Sequence, residues 1–250
     1  MRSWYKILLI ALVVYNVQAN AQIKGIINYK FTISDKEFPS NSVNYIVYLS
    51  NNKSIEIATA SAIKTQDIDE RTRTVVIKGK EGFVFKDFKI KKMILADYLG
   101  IRTQLITDTL QNFKWTITRE KRKISKFNCI KATTKFRGRN YIAWFTEDVP
   151  VQNGPWKFCG LPGLIVNLND NELIFNYELT GINLKAKFND NIVSIPYEYT
   201  KDKAISHNQF IKRYHRAVLN NKKMANVVET GNDGSVSSGE IVLPIKMEKF

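Results

Sequence analysis

The chain has 250 residues and a formal charge of +15 at neutral pH, with 38 Lys and Arg against 23 Asp and Glu. After Tyr15 no stretch approaches the ~18 consecutive apolar residues of a membrane helix, which excludes that class of membrane span. The basic residues are spread along the chain, and clusters such as Arg119–Lys126 and Lys212–Lys223 mix with apolar positions. They read as solvated faces, and the charge alone does not name nucleic acid or any other partner.

Residues 1–21 read as a cleavable secretory signal peptide. Arg2 and Lys6 precede any acidic residue, and the apolar run from Ile7 to Tyr15 is too short for a stable membrane helix. Ala19-Asn20-Ala21 is a small-x-small cleavage pattern, which makes Gln22 the expected mature N-terminus. Loss of Arg2 and Lys6 lowers the formal charge from +15 to +13. The mature N-terminus has no Cys to carry a lipid anchor. The expected location is outside the cytoplasm, in the periplasm, at the outer-membrane surface or in the medium, where the polyanions are phospholipid head groups and acidic glycans. Residues 22–250 show no repeat and no break in composition, so they are read as a single domain.

Most of the mature chain alternates with period two. Ile27, Tyr29, Phe31 and Ile33 share one strand face. Val43–Ser50 is apolar on both faces, and further strands are predicted at Thr72–Lys78, Gly82–Ile90, Arg102–Thr107 and Phe113–Thr118, the last with Phe113, Trp115 and Ile117 on one side. A hairpin is predicted over Lys126–Val149, turning at Arg137-Gly138, because Gly accepts the positive φ of a two-residue turn. That register sets Phe136 against Arg139, Thr134 against Tyr141, Ala132 against Ala143 and Ile130 against Phe145. A second hairpin joins Leu164–Leu168 to Leu173–Leu179 through Asn169-Asp170-Asn171. One helix is predicted over Ser206–Lys223, opened by a Ser206/Gln209 capping box, with Phe210, Ile211, Tyr214 and Val218 on its apolar stripe. The Gly231–Gly239 stretch reads as a loop.

Cys129 and Cys159 are an even pair in an exported chain. They suggest one disulfide closing a loop of about 30 residues, worth on the order of 3 kcal/mol, with two free buried thiols as the alternative. The segment from Gly154 to Ile165 is a rigid connector. Pro155 fixes its first bend, and Pro162-Gly163 suits the centre of a type II turn, with Gly163 at positive φ. Trp156, Phe158 and Leu161 would anchor it to the core, and Leu164 and Ile165 would start the next strand. Aromatic residues on a stiff turn also make good binding edges. The leading reading of the segment is a strand-to-strand corner that serves the fold, and the alternative is a ligand rim made by Trp156, Phe158, Leu161, Pro162, Gly163, Leu164 and Ile165.

No catalytic, cofactor-binding or metal-binding residue is assigned. His207 and His215 lie about 80° apart around the predicted helix and two turns along it, too far to share a metal without other ligands. There is no HExxH, GxSxG, P-loop or dinucleotide glycine pattern. The acidic groups Asp67–Glu70 and Asn169–Glu172 read as solvated turns.

Gly160-Leu161-Pro162-Gly163-Leu164-Ile165 resembles the hexapeptide that names the GLPGLI family of exported bacterial proteins, typical of Bacteroidota. Cys129-Ile130-Lys131-Ala132, Gly138-Arg139, Ala143-Trp144-Phe145-Thr146 and Gly154-Pro155-Trp156-Lys157 are similar to its flanks. The resemblance implies export but no catalytic residue, because that family's function is unknown. The reading is a mainly β (α+β) fold: a curved antiparallel sheet with one or two helices packed on it, analogous in shape to the half-barrel of bacterial lipoprotein carriers. One helix cannot cover strands that are apolar on both faces, so a cavity lined by Phe, Tyr and Trp is expected near the helix or the 154–163 connector. The leading function is a non-enzymatic carrier or binder of an apolar or lipid-like ligand. The alternatives are an interaction module assisting an outer-membrane receptor and a hydrolase using scattered carboxylates.

Overall fold

The computed structural model describes residues 23–34, 40–59, 80–99, 102–110, 113–225, 229–230, 236–237 and 246–249. The expected signal peptide, the Thr72–Lys78 strand, the Asp67–Glu70 group and most of the Gly231–Gly239 loop lie outside the described residues. Eleven strands form one antiparallel series: β1 (Lys24–Ile33), β2 (Asn41–Ser50), β3 (Lys53–Ala58), β4 (Phe83–Asp87), β5 (Lys92–Leu99), β6 (Arg102–Thr109), β7 (Thr116–Ile124), β8 (Phe127–Phe136), β9 (Arg139–Thr146), β10 (Leu164–Asp170) and β11 (Phe175–Asn183). A two-residue strand, β12 (Ile205–Ser206), adds in parallel to β6 and leads into the helix α1 (His207–Ala225). A separate small ribbon pairs β13 (Glu229–Thr230) with β14 (Val236–Ser237).

The order across the sheet is β12-β6-β5-β4-β3-β2-β1-β11-β10-β9-β8-β7. The chain therefore starts in the middle and meanders out to β6. It then restarts at the far edge with β7 and meanders back until β11 pairs with β1. Ten strand spacings separate β6 from β7, roughly 48 Å at about 4.8 Å each if the sheet were flat. The chain from Thr109 to Thr116 can span no more than about 25 Å at roughly 3.5 Å per residue. The sheet must roll until its two edges approach each other, and it is an open, curved sheet.

Core clusters lie on both faces of part of the rolled sheet. The largest core cluster lies under β1, β2 and β8–β11, around Tyr29, Ala143, Phe145, Phe158, Leu164 and Ile165. In β3–β6 the alternation feeds two separate clusters. Ile55, Phe83, Ala96 and Leu105 pack under Val193 and Tyr199 from the segment after β11. Val84, Met93, Leu95 and Ile106 pack against Phe210 of α1, with Trp156 and Ile205 at the margin. Strands apolar on both faces are thus satisfied by the chain's own later segments, which the 184–204 stretch does not announce by any helical or strand periodicity.

Several boundaries differ from the sequence reading. β4 ends at Asp87, whose Oδ1 accepts from the backbone of Lys89 and Ile90 and turns the chain, leaving Ile90 64% exposed. Phe113 and Trp115 precede β7 and pack inward, whereas Ile117 is half-exposed. β10 continues through Asp170, so the second turn falls at residues 171–174 and Leu173 is exposed. Asp170 is fully buried, accepting from Arg139 at 3.0 Å and from the Phe175 N–H at 2.9 Å. The solvated-turn reading of Asn169–Glu172 fails there because Arg139 neutralises the carboxylate. The first hairpin has the predicted register throughout, with Arg137 at φ 43° and Gly138 at φ 81°, the two positive values of a type I′ turn. The capping box also forms: Gln209 N–H donates to Ser206 Oγ and Ser206 N–H to Gln209 Oε1.

The hexapeptide turn departs from its predicted geometry. Gly160 has the positive φ, at 89°, and Gly163 does not. Gly163 is required for space, because a Cβ there would lie 2.0 Å from the backbone oxygen of Thr146. Around Gly160 no atom lies within 4 Å of an added Cβ. Gly160→Ala should therefore cost roughly 1–2 kcal/mol through backbone conformation alone. Gly163→Ala should cost about 3 kcal/mol or more, because β9 and β10 must separate. Urea midpoints of the two variants test the order of these effects.

Candidate functional site

The connector between β9 and β10 runs through the interior of the rolled sheet, and consecutive side chains leave it in different directions. Phe158 is fully buried and lies 4.6–5.7 Å, centroid to centroid, from Tyr141, Phe113, Trp156 and Phe136. Trp156 is half-buried and adopts φ 48°, an uncommon value for a bulky residue. Its N–H donates to Glu56 Oε2 on β3 at 2.7 Å. Lys86 on β4 sends its ammonium inward, where all three hydrogens find oxygen: Asn153 Oδ1 (2.9 Å), Gly154 O (2.9 Å) and Phe158 O (3.0 Å). Lys86 and Glu56 thus satisfy backbone groups that a buried connector would otherwise leave unpaired. Burial pushes the Glu56 carboxyl up to about 7, against the opposing pull of Lys86 and the Trp156 N–H, and burial lowers the Lys86 ammonium.

Lys157 points the other way, into a cluster of five ionisable groups. Its Nζ donates to Glu248 Oε1 (2.6 Å) and Asp108 Oδ2 (3.2 Å). Arg137, from the β8–β9 turn, donates to both Asp108 oxygens at 2.9 Å and to Glu248 Oε1 at 2.6 Å. His207, the first residue of α1, meets Glu248 Oε2 at 2.7 Å. The same Nε2 lies 2.5 Å from Arg137 Nη1, so the imidazole bridges the guanidinium and the carboxylate. Glu248 belongs to a C-terminal strap, of which Lys246–Lys249 are described. The Tyr141 hydroxyl also anchors the strap at the Met247 carbonyl, as do the Arg137 carbonyl and Glu172 at Lys249 and Asp97 at Lys246. The cluster joins β6 and α1 on one side of the roll to the β8–β9 turn and connector on the other.

Asp108, His207 and Glu248 present ligand atoms within 4.8 Å of one another, a spacing that suits a metal ion. The donor set does not. Two carboxylates face two cations, so the charge is already balanced, and Arg137 and Lys157 already bond the oxygens that a metal would need. The carboxylates are also unsuited to proton transfer. Burial opposes ionisation, but the His207 hydrogen bond and the Lys157 and Arg137 charges outweigh it and bring Glu248 down to about 2. Asp108 is likewise lowered, against burial, by Arg137, Lys157 and His207.

A depressed carboxylate stabilises the fold above its unfolded value, near 4.5, and loses that contribution as pH falls towards 2. For Glu248 the contribution is about 3 kcal/mol. The melting temperature should therefore drop between pH 4.5 and 2, and Glu248→Gln should be less stable at neutral pH with a flatter acid limb. A Glu248→Gln profile parallel to that of the parent would show that the cluster is not the acid-sensitive element.

The predicted disulfide is absent: Cys129 and Cys159 are both free and buried. Cys129 pairs across β8 with Arg122 of β7, on the face that carries Trp144. Cys159 forms an isolated bridge with Asn153 beside Lys86, inside the roll. The two thiols belong to different layers, which sequence distance does not reveal. Burial raises both thiols. A thiol reagent should find neither group in the native protein and both after unfolding, and reductant should leave the melting temperature unchanged.

The candidate rim residues are mostly interior. Phe158, Leu161, Leu164 and Ile165 are 0–1% exposed, Gly163 is buried, Trp156 is half-buried and Pro162 is exposed. The expected aromatic cavity is not what surrounds them, because the connector's own rings fill that space. Three open clefts of about 510–530 Å³ lie elsewhere. One sits between Lys91–Lys92, Arg137 and the start of α1, one by the β2–β3 turn and residues 150–153, and one along β7 and β8. Most of the residues that line them are polar or charged by type, and Phe88 is the one aromatic residue among them. Sequence reasoning missed the cluster of Asp108, Arg137, Lys157, His207 and Glu248. The available signal was Lys157 itself, a charge set between Trp156 and Phe158.

Residues 135–167 match a family model described as a protein of unknown function (Porph_ging). The match spans the β8–β9 turn, β9, the connector and the hexapeptide. No curated protein matches the sequence. Among solved structures the chain is similar to PNGF-II, with a TM-score of 0.51, 16% identity and 78% of this chain covered. The chain spans 33% of the length of PNGF-II. It also matches a LolA superfamily protein from Nitrosomonas europaea (TM-score 0.33, 10% identity, 71% of this chain and 92% of that one). An outer membrane lipoprotein-sorting protein domain from Vibrio parahaemolyticus gives a TM-score of 0.33 at 6% identity, over 68% and 89% of the two chains. The PNGF-II likeness concerns the fold alone, and the other two are too distant to support a functional argument.

Proposed function

We propose that the chain is an exported, non-enzymatic binding module of the cell envelope, of the GLPGLI type, with residues 22–250 as its mature domain. The observation that carries this reading is the filled interior: Phe158 and its aromatic neighbours occupy the space that an acyl chain would need. Binding is left to the outer surface and the open clefts. Against catalysis, three buried carboxylates are held in ion pairs: Asp108 and Glu248 with Arg137 and Lys157, and Asp170 with Arg139. Support for export comes from Arg2, Lys6, the Ile7–Tyr15 run and Ala19-Asn20-Ala21. Among the described residues no helix is long and apolar enough to cross a membrane. An interaction module serving another envelope protein fits this surface better than an apolar carrier does.

Three measurements test the proposal. N-terminal sequencing of the exported form should begin at Gln22. Titration of the mature protein with a fluorescent fatty acid should show no saturable micromolar binding, and cross-linking in intact cells should give a discrete protein adduct. A stoichiometric lipid retained in native mass spectra, without a protein adduct, would restore the carrier.

A further inference from the structure

The Arg119–Lys126 cluster falls on an edge. β7 ends the sheet, and among the described residues only β8 pairs with it. Ser125-Lys126 is a two-residue turn closed by Ile124 opposite Phe127. In such a hairpin the closing pair is hydrogen-bonded and bonded pairs alternate with non-bonded ones. Lys123 opposite Asn128 and Lys121 opposite Ile130 are then non-bonded pairs, and their N–H and C=O groups face the open edge. The side chains of Arg119, Lys121, Arg122, Lys123 and Lys126 are all exposed. Glu120, the one acid on the strand, is engaged by Lys131 at 2.8 Å. Arg122 is held in place, its guanidinium 4.0 Å from the centre of the Trp144 ring. Glu147 and Asp148 offset part of the charge beside the turn.

Lysines on an edge ordinarily prevent strand addition. They do so selectively. A second copy of this chain would lay Lys121, Arg122 and Lys123 against the same charges, and a neutral strand would desolvate them without compensation. An acidic strand meets neither obstacle. We propose that the β7 edge docks an acidic, extended segment of a partner protein by strand addition. The proposal rests on the binding-module reading and gives that reading its surface and its partner chemistry. An anionic bilayer would answer the charge but would leave the outward backbone groups unused.

The mature protein is titrated with a capped peptide of alternating Thr and Glu, with its Lys counterpart, and with vesicles of phosphatidylglycerol in phosphatidylcholine. The Glu peptide should bind saturably, about tenfold or more weakly at high salt than at low salt, and the Lys peptide should not bind. Binding should slow amide hydrogen exchange at Lys121 and Lys123. Lys121→Glu combined with Lys123→Glu should abolish binding. Lys123→Pro, which removes an outward N–H, should weaken it roughly 3–10-fold beyond Lys123→Ala. The exchange measurement uses the unaltered protein, so it stands even where a variant folds poorly. No binding of the Glu peptide overturns the inference. So does binding that leaves those two amides unprotected, or vesicles that bind as tightly and displace the peptide. A protein adduct that persists in cells carrying the double charge reversal overturns this surface but keeps the binding module. Loss of every protein adduct in the parent removes the binding module itself.

Discussion

The connection from β6 to β7 sets the shape of the molecule. It must carry the chain from one edge of an eleven-strand antiparallel series to the other, and the link is far too short to cross a flat sheet. Rolling is therefore imposed by topology, and the remaining features answer its consequences. The concave side becomes an enclosed space that the connector fills. The approaching edges leave a seam, which is joined at one end by Arg137, Lys157, Asp108, His207 and Glu248.

The seam is closed by charge, not by strand pairing. Continuous hydrogen bonding between β6 and β7 would close a barrel and abolish both edges. Here the seam is bridged through side chains at one end, and among the described residues β7 pairs on one side alone. Buried ion pairs offset their own desolvation rather than adding much net stability. Their value lies in geometry: each carboxylate accepts from cations on different segments, so connector, turn, helix start and C-terminal strap are fixed relative to one another. Glu56 and Lys86 each act similarly beneath the connector, where they supply hydrogen-bond partners to Trp156, Gly154 and Phe158.

What could be read from the sequence was local. The Arg137-Gly138 hairpin came out in full register, because one Gly in a turn and four facing pairs fix a two-residue hairpin. The Ser206/Gln209 cap and the Phe210 stripe placed the helix within two residues of its observed end. Features set by distant partners were not legible. Glu56 lies between Ile55 and Ile57 and Lys86 follows Phe85, and nothing in either strand tells that the two charges meet the same connector. Cys129 and Cys159 invited pairing by count alone, and β8 and the connector put them in different layers. Gly163 was expected to serve backbone conformation, whereas it serves the close approach of Thr146. The 184–204 segment covers the second face through scattered contacts by Val193 and Tyr199, without a period to read.

The central position of β1 bears on how the chain assembles over time. Of the described strands β1 waits longest for its second neighbour, because one of its sides meets β11 some 150 residues later, as in Tyr29 opposite Leu179. The β1–β6 meander can form as soon as it is synthesised, since its contacts are local. Until β11 arrives it carries an open edge that includes Ile27, Tyr29 and Phe31, all of them core residues. That intermediate presents an apolar, unpaired strand of the kind that seeds aggregation. A chain that reaches its final compartment unfolded would face this interval there, so its yield would depend on holdase capacity rather than on the stability of the finished fold.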